Sequence, residues 1–532
     1  MKKILFLLFS LFSLSDALVC AQKPKLLVNI VVDGLRSDYI ELLWDDFGDG
    51  GFKRLIQGGC YAPFVKFPYL NVGRSADYAT LMTGSVPAYH GVCADTYWDV
   101  NTGHSRSCLY DKQAQGINTS LKLSPASISA STIADELRLR TRGKGKTVSI
   151  AIEPEMALIL SGHKGRAVWI SSVNGQWATT TAYGESLPSW ASKSNADNLA
   201  GEYISKTWTN AYSPTFYKEN SAQRHTSPSF SYRLQDLDFQ KRVRLLRGCP
   251  FVNSMVCETA IDAVRDDFLG VDDEPDMLNL QLTVCVSDLP SSMGIPAEVQ
   301  DMYYRLDGEL QDFINDIEEL CGESNVLYVL SAPQVEYVSP ERMQTYGIPS
   351  GYFVSERSMS LLNTYLMAQY GQADFVSGYY HGQIFLNKDE IKRKGLNVDS
   401  VEINVANFMT RFEGVQTAFR AQDMDRVTND NPQVSLAKNA FQYGKTGDIL
   451  IYLKPGWVDV PTVKEKIGIS TRSNNYAPLI FYGSGVKKTR LNRSVSVLDI
   501  APTIDLLMGL PFPNAAQGEP IFELLNPSAR PF

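Results

Sequence analysis

A doubly wound α/β fold on a mostly parallel sheet, interrupted by two large insertions, is what this 532-residue sequence predicts. Three observations carry that reading. Short, nearly continuous apolar runs recur along the chain. Segments of helical periodicity lie between them. Two of the runs stop at an aspartate. Runs that are apolar on both faces suit central parallel strands, and strands alternating with helices suit a sheet covered on both sides.

The first run is "KLLVNIVVDGLRSDYI" at 25–40, which ends its strand at Asp33. The same form returns in "TVSIAI" (147–152), "MLNLQLTVCVSD" (277–288), "NVLYVLSA" (325–332), "DILIYLKP" (448–455) and "APLIFYGSG" (477–485). Between two of these, Val299, Met302, Leu306, Leu310, Phe313 and Ile317 recur every three or four residues, the stripe of an amphipathic helix. Two segments break the alternation: 161–275, rich in Tyr, Trp, Ser and Asn, and 340–447, which contains "GYYHGQIFLN". No Gly/Ser/Pro-rich linker isolates either, so both read as insertions on one domain spanning 22–532.

Residues 1–21 have the form of a signal peptide: two lysines, an apolar stretch, and Val19 and Ala21 at −3 and −1 of a cut before Gln22. The expected product is periplasmic or secreted. A lipid anchor on Cys20 is disfavoured, because Val19 is not the small residue that normally precedes a lipidated cysteine. No later segment reaches 18 uninterrupted apolar residues, so no transmembrane helix is expected. A net charge of −8 argues against a nucleic-acid partner; "KRVRLLR" (241–247) reads as a solvated helix face. An unidentified protein or small molecule is the expected partner. Seven cysteines remain after cleavage. Cys93 with Cys108 and Cys249 with Cys257 are close enough to pair, Cys285 reads as a buried free thiol, and connectivity with Cys60 and Cys321 stays open.

Ligands of doubly wound sheets gather beyond the carboxyl ends of the strands. The text there is specific: "RSADYATLMTGSVPAYHGV" (74–92), "YYRLDGELQDFI", "YGQADFVSGYYHGQIFLN", "GDILIYLKPGW", "APLIFYGSG" and "DIAPTI", in that order. From about residue 25 to the end the chain resembles the alkaline phosphatase superfamily, most closely the secreted bacterial phosphate-irrepressible alkaline phosphatases related to nucleotide pyrophosphatases/phosphodiesterases. The resemblance implies two zinc ions that clamp phosphoryl oxygens, and a Thr or Ser nucleophile. It implies an Asp after the first strand, an Asp and His four residues apart, an adjacent Asp-His, and a late His.

Transferred position by position, most of that set is missing. Asp33 and Asp288 are present, but Ser292 stands where the first His belongs, Pro333 and Gln334 where Asp-His belongs, and Tyr476 where the late His belongs. Arg74 takes the nucleophile position, with Ser75 one residue out of register. Glu153 and Glu155 replace the phosphate-contacting Lys-x-Arg, and Asp95 falls near a phosphate-contacting Asn. Two acids facing a phosphate dianion repel it, by about 4 kcal/mol for unit charges near 4 Å at an effective dielectric of about 20. Among five histidines, His90 reads as structural and the others as surface or core residues. The expectation is therefore a non-catalytic relative without a cofactor, with Asp33 and Asp288 kept as caps of backbone amides. The alternative is a rebuilt hydrolase in which Asp33, Asp77, Asp95 and Asp288 hold Mg²⁺, Mn²⁺ or Ca²⁺ and Ser75 attacks; all-oxygen ligation suits those ions. The aromatic-rich stretch 165–240 reads as an insertion packing its own rings rather than as a carbohydrate or lipid platform.

Overall fold

Strand Leu26–Asp33 is buried along its whole length, as its apolar run requires, because it has parallel neighbours on both sides. Asp276–Thr283 pairs with it so that Asp33 meets Thr283, and Val326–Ser331 so that Val31 meets Ser331. The chain is described here by a computed structural model covering residues 23–99, 102–218, 229–286, 295–334, 340–424, 432–442, 444–464, 468, 470 and 477–525. Thr147–Ala151 and Arg166–Ile170 extend the parallel set beyond Asp276–Thr283. On the other side Leu479–Gly483 joins Val326–Ser331, but antiparallel. Short strands complete a ten-stranded sheet: Cys60–Ala62 and Thr489–Arg490 at one edge, Trp177–Thr180 and Gly116–Ile117 at the other. The result is an α/β fold with a parallel centre and antiparallel margins.

Helix Ala297–Cys321 forms where the stripe predicts it, and Met302, Leu306, Leu310, Phe313 and Ile317 are all buried. No helix among the described residues is long and apolar enough to cross a membrane.

The apolar run at 448–455 does not enter this sheet. Ile449–Leu453 lies in a separate four-stranded sheet, antiparallel to Gln383–Leu386 and Val415–Arg420. Its continuous apolarity has a different cause. Ile449, Ile451 and Leu453 face a second core with Phe353, Leu362 and Phe375, while Leu450 and Tyr452 face the main core. A strand buried on both faces reads the same whether its neighbours are parallel or not. Segment 161–275, read as an insertion on the one domain, contributes Arg166–Ile170 and Trp177–Thr180 to the main sheet and helix Phe251–Asp267 to its cover.

The aromatic stretch packs on itself. Trp208 lies against Phe230 and Tyr232, while Tyr212, Phe216 and Tyr217 surround Tyr304 of the long helix.

The expected disulfides are not formed among the described residues: Cys60, Cys93, Cys108, Cys249, Cys257 and Cys321 are buried free thiols. Cys93 Sγ donates to the Pro87 carbonyl and Cys249 Sγ to the Leu246 carbonyl. Cys257 lies within helix Phe251–Asp267, where burial, and secondarily Glu309, push its thiol pKa up. Cys285 is exposed rather than buried as expected, because its strand stops at Thr283 and leaves it in the following loop.

Candidate functional site

Asp33 is the last residue of the central strand, and its carboxylate is buried. Among the described residues it caps no backbone amide. Three side chains donate to it instead: Arg74 Nη1 to Oδ2 at 2.7 Å, Gln281 Nε2 to Oδ2 at 2.9 Å and Tyr78 OH to Oδ1 at 2.8 Å. Arg74 and Tyr78 are four apart on helix Arg74–Thr83, so one helix face delivers both. Asp33 in turn holds the guanidinium's proton more tightly and raises its pKa well above the usual value.

Arg74 also approaches Glu153 at 3.8 Å, and Arg247 binds the other oxygen of Glu153 at 2.8 Å. Glu153 is thus neutralised from two sides. Glu155 accepts a hydrogen bond from Ser107 Oγ at 2.6 Å, and burial raises its pKa. The Arg74 side chain is 48% exposed, so its pairing with Asp33 adds only about 1 kcal/mol or less to stability. Its consequence is occupancy.

Asp95 sits at the start of the same helix. Its Oδ1 accepts from the Ser75 amide at 2.7 Å. Gly73, at φ +123°, makes room: a Cβ there would lie 2.4 Å from Asp95 Oδ2. A helix N-terminus is a ready site for an anion, and here the protein's own carboxylate takes it. The Ser75 hydroxyl is wholly buried beside the Cys108 thiol.

Asp77 forms a third closed unit. Tyr69 OH donates to Oδ1 at 2.8 Å, the Gln334 amide to Oδ2 at 2.8 Å and Gln334 Nε2 to Oδ1 at 2.9 Å. Gln334 therefore spends its donors on a carboxylate, and neighbouring Pro333 offers no side-chain donor at all. Burial pushes the Asp77 carboxyl up to about 7 although these donors favour its charged form. A carboxyl raised in the folded state from 3.8 stabilises the fold fully below that pH and loses the contribution as pH rises through about 7. Asp77→Asn should therefore gain stability relative to the parent as pH rises from about 4 to about 7. Urea unfolding across that window measures it, and a constant offset between the two proteins would refute the assignment.

Asp288, Ser292 and Tyr476 lie outside the described residues. Of the residues read from sequence, Asp33, Arg74, Glu153, Asp95 and Ser75 come together, while Asp77 and Gln334 form a neighbouring cluster through the same helix. Gln281, Tyr78, Arg247 and Tyr69 were missed. Gln281 had a signal: with Asn279 it interrupts an apolar strand at alternate positions, and two polar side chains on one face of a buried strand need partners. Asn279 pairs with Asn29 at 2.9 Å, and Gln281 Oε1 also receives the Ile152 and Glu153 amides. His90 is structural: its Nδ1 accepts from the Val92 amide, so Nε2 donates to Thr80 Oγ1, and burial lowers its pKa to about 3.

The described residues at the zinc positions implied by resemblance, Asp33, Pro333 and Gln334, do not supply that set. Asp33 is engaged by three donors, Gln334 is turned toward Asp77, and among the described residues no three His, Cys, Asp or Glu side chains are grouped to hold a metal.

Carboxylates gather at the carboxyl ends of parallel strands, around the start of one helix, and the fold that holds them is alkaline phosphatase-like. A family model for type I phosphodiesterase / nucleotide pyrophosphatase matches residues 27–473. The chain belongs to that family. It is 27% identical over 523 residues to alkaline phosphatase PafA of Elizabethkingia meningoseptica, with 95% of each chain covered. It is 27% identical over 521 residues to alkaline phosphatase PhoV of Synechococcus elongatus, covering 95% of this chain and 93% of that one. The crystal structure of wild-type PafA matches with a TM-score of 0.85 at 27% identity, over 95% of this chain and 99% of that chain.

Proposed function

We propose that this protein is a non-hydrolytic member of its family, exported by its N-terminal segment and retaining the fold for binding or scaffolding. The observation that carries the reading is the engagement of Asp33 by Arg74, Tyr78 and Gln281. A fixed guanidinium stands against the strand-end carboxylate where a mobile cation would otherwise bind. Asp95 supplies the complementary half, an internal anion at the helix start. The site is neutralised from within, which leaves little field for a metal or a phosphate group.

The rebuilt-hydrolase alternative draws less support. Asp33, Asp77 and Asp95 each serve separate donors, and the Ser75 hydroxyl is buried away from any substrate. Metal analysis of the purified protein beside a phosphate mono- and diester screen tests the proposal. The expected result is substoichiometric metal and turnover at background. Turnover sustained by Mg²⁺ or Mn²⁺ and abolished by Ser75→Ala would establish the alternative instead.

A further inference from the structure

A cavity of about 750 Å³ lies in the four-stranded-sheet region, within the size range of small-molecule sites. Helix Ser355–Tyr370 gives it Glu356 and Met359, strand Val376–Tyr380 gives Tyr379 and Tyr380, and His381 and Asp459 complete the set that matters here. We infer that this cavity binds an organic cation, an ammonium group carried on an apolar body.

Charge is the first support. Glu356 and Asp459 are the ionisable acids on its wall, and no Lys or Arg is among the described lining residues. Glu356 is exposed and makes no ion pair with any described residue. Asp459 accepts from Tyr379 OH at 2.6 Å, which leaves its carboxylate acceptor capacity to spare. Burial raises Asp459 to about 6, so a cation beside it would recover the free energy that desolvation takes from its charged form. His381 does not supply the missing positive charge, because burial lowers its pKa and keeps the ring neutral. Among the described lining residues, an anionic ligand would meet only carboxylates and neutral groups.

The aromatic wall is the second support. The Tyr380 and His381 rings stack at 4.0 Å with 21° between planes, and aromatic faces attract ammonium groups. Backbone geometry is the third. Tyr380 pairs with Gln383 across a two-residue turn, His381-Gly382, with φ of +43° and +77°. Two positive φ values in a two-residue hairpin favour Asn-Gly or Gly-Gly. A bulky imidazole held there is strained, and such strain collects at ligand sites.

This inference rests on the reading of the protein as a binder. Equilibrium dialysis of the full chain with phenethylamine, 3-phenylpropanoate and 2-phenylethanol tests it, with ester turnover measured on the same sample. Saturable phenethylamine uptake is expected, with little of the neutral analogue and none of the anion. Glu356→Gln and Asp459→Asn should each weaken the amine about tenfold with the circular dichroism spectrum retained. No saturable amine uptake, equal uptake of the anion, or unchanged affinity in both variants overturns the cation site. Ester turnover in that sample would overturn the non-hydrolytic reading separately, whatever the dialysis gives.

Discussion

Ser292→His, Pro333→Asp, Gln334→His and Tyr476→His together should bring zinc into this protein only when Arg74→Thr accompanies them. The four exchanges restore the imidazole and carboxylate donors that the family resemblance implies. They leave the Arg74 guanidinium 2.7 Å from Asp33 Oδ2, however, and a zinc ion cannot share that oxygen with a fixed cation. Gln334→His also withdraws the side-chain amide from Asp77, which costs about 1–3 kcal/mol for a buried acceptor left short. Stability must therefore be followed alongside metal content. Zinc measured after dialysis should be near zero in the parent and in the fourfold variant, and stoichiometric in the fivefold variant. Hydrolysis should remain weak even then, since Glu153 and Glu155 still face the incoming phosphate. Equal zinc in the fourfold and fivefold variants would show that Arg74 is not what excludes the metal.

The largest single-residue loss of stability is expected at Asp301, away from the strand ends. Its carboxylate is fully buried in helix Ala297–Cys321 and takes four donors: Trp208 Nε1, the Ala211 amide, Tyr217 OH and Arg305 Nε. Asp301→Ala leaves all four without their acceptor, the guanidinium among them, and should destabilise by about 3–5 kcal/mol. The Trp208 region should loosen first, because that carboxylate ties it to the helix. Urea unfolding with near-ultraviolet circular dichroism reads both effects. A loss below about 1 kcal/mol would mean that the aromatic packing alone holds the segment.

The strands of the parallel centre were legible because burial on both faces leaves a plain apolar run, and the long helix because its stripe has helical spacing. The same signal misplaced 448–455, since two-sided burial does not reveal which core lies on each side. Asp33 was legible as the end of a strand. Its three donors were not, because Tyr78 and Gln281 look like ordinary helix and strand residues until the register brings them together. Arg74 stood out as an odd residue at a nucleophile position, yet nothing in its neighbours says that it reaches the carboxylate 41 residues earlier. The thiols failed for a related reason: closeness in sequence does not turn two sulfur atoms toward each other.

Strand Ile449–Leu453 carries a consequence for how the molecule comes apart. Its alternate side chains belong to two cores, so neither core can melt without uncovering one face of a strand on which the other depends. Freed from the main core, the smaller sheet would expose Leu450 and Tyr452 to water; freed from the smaller, the main core would lose the same two residues as a wall. The strand should therefore couple the two cores, so that the two units are expected to unfold in a single event rather than in two independent ones.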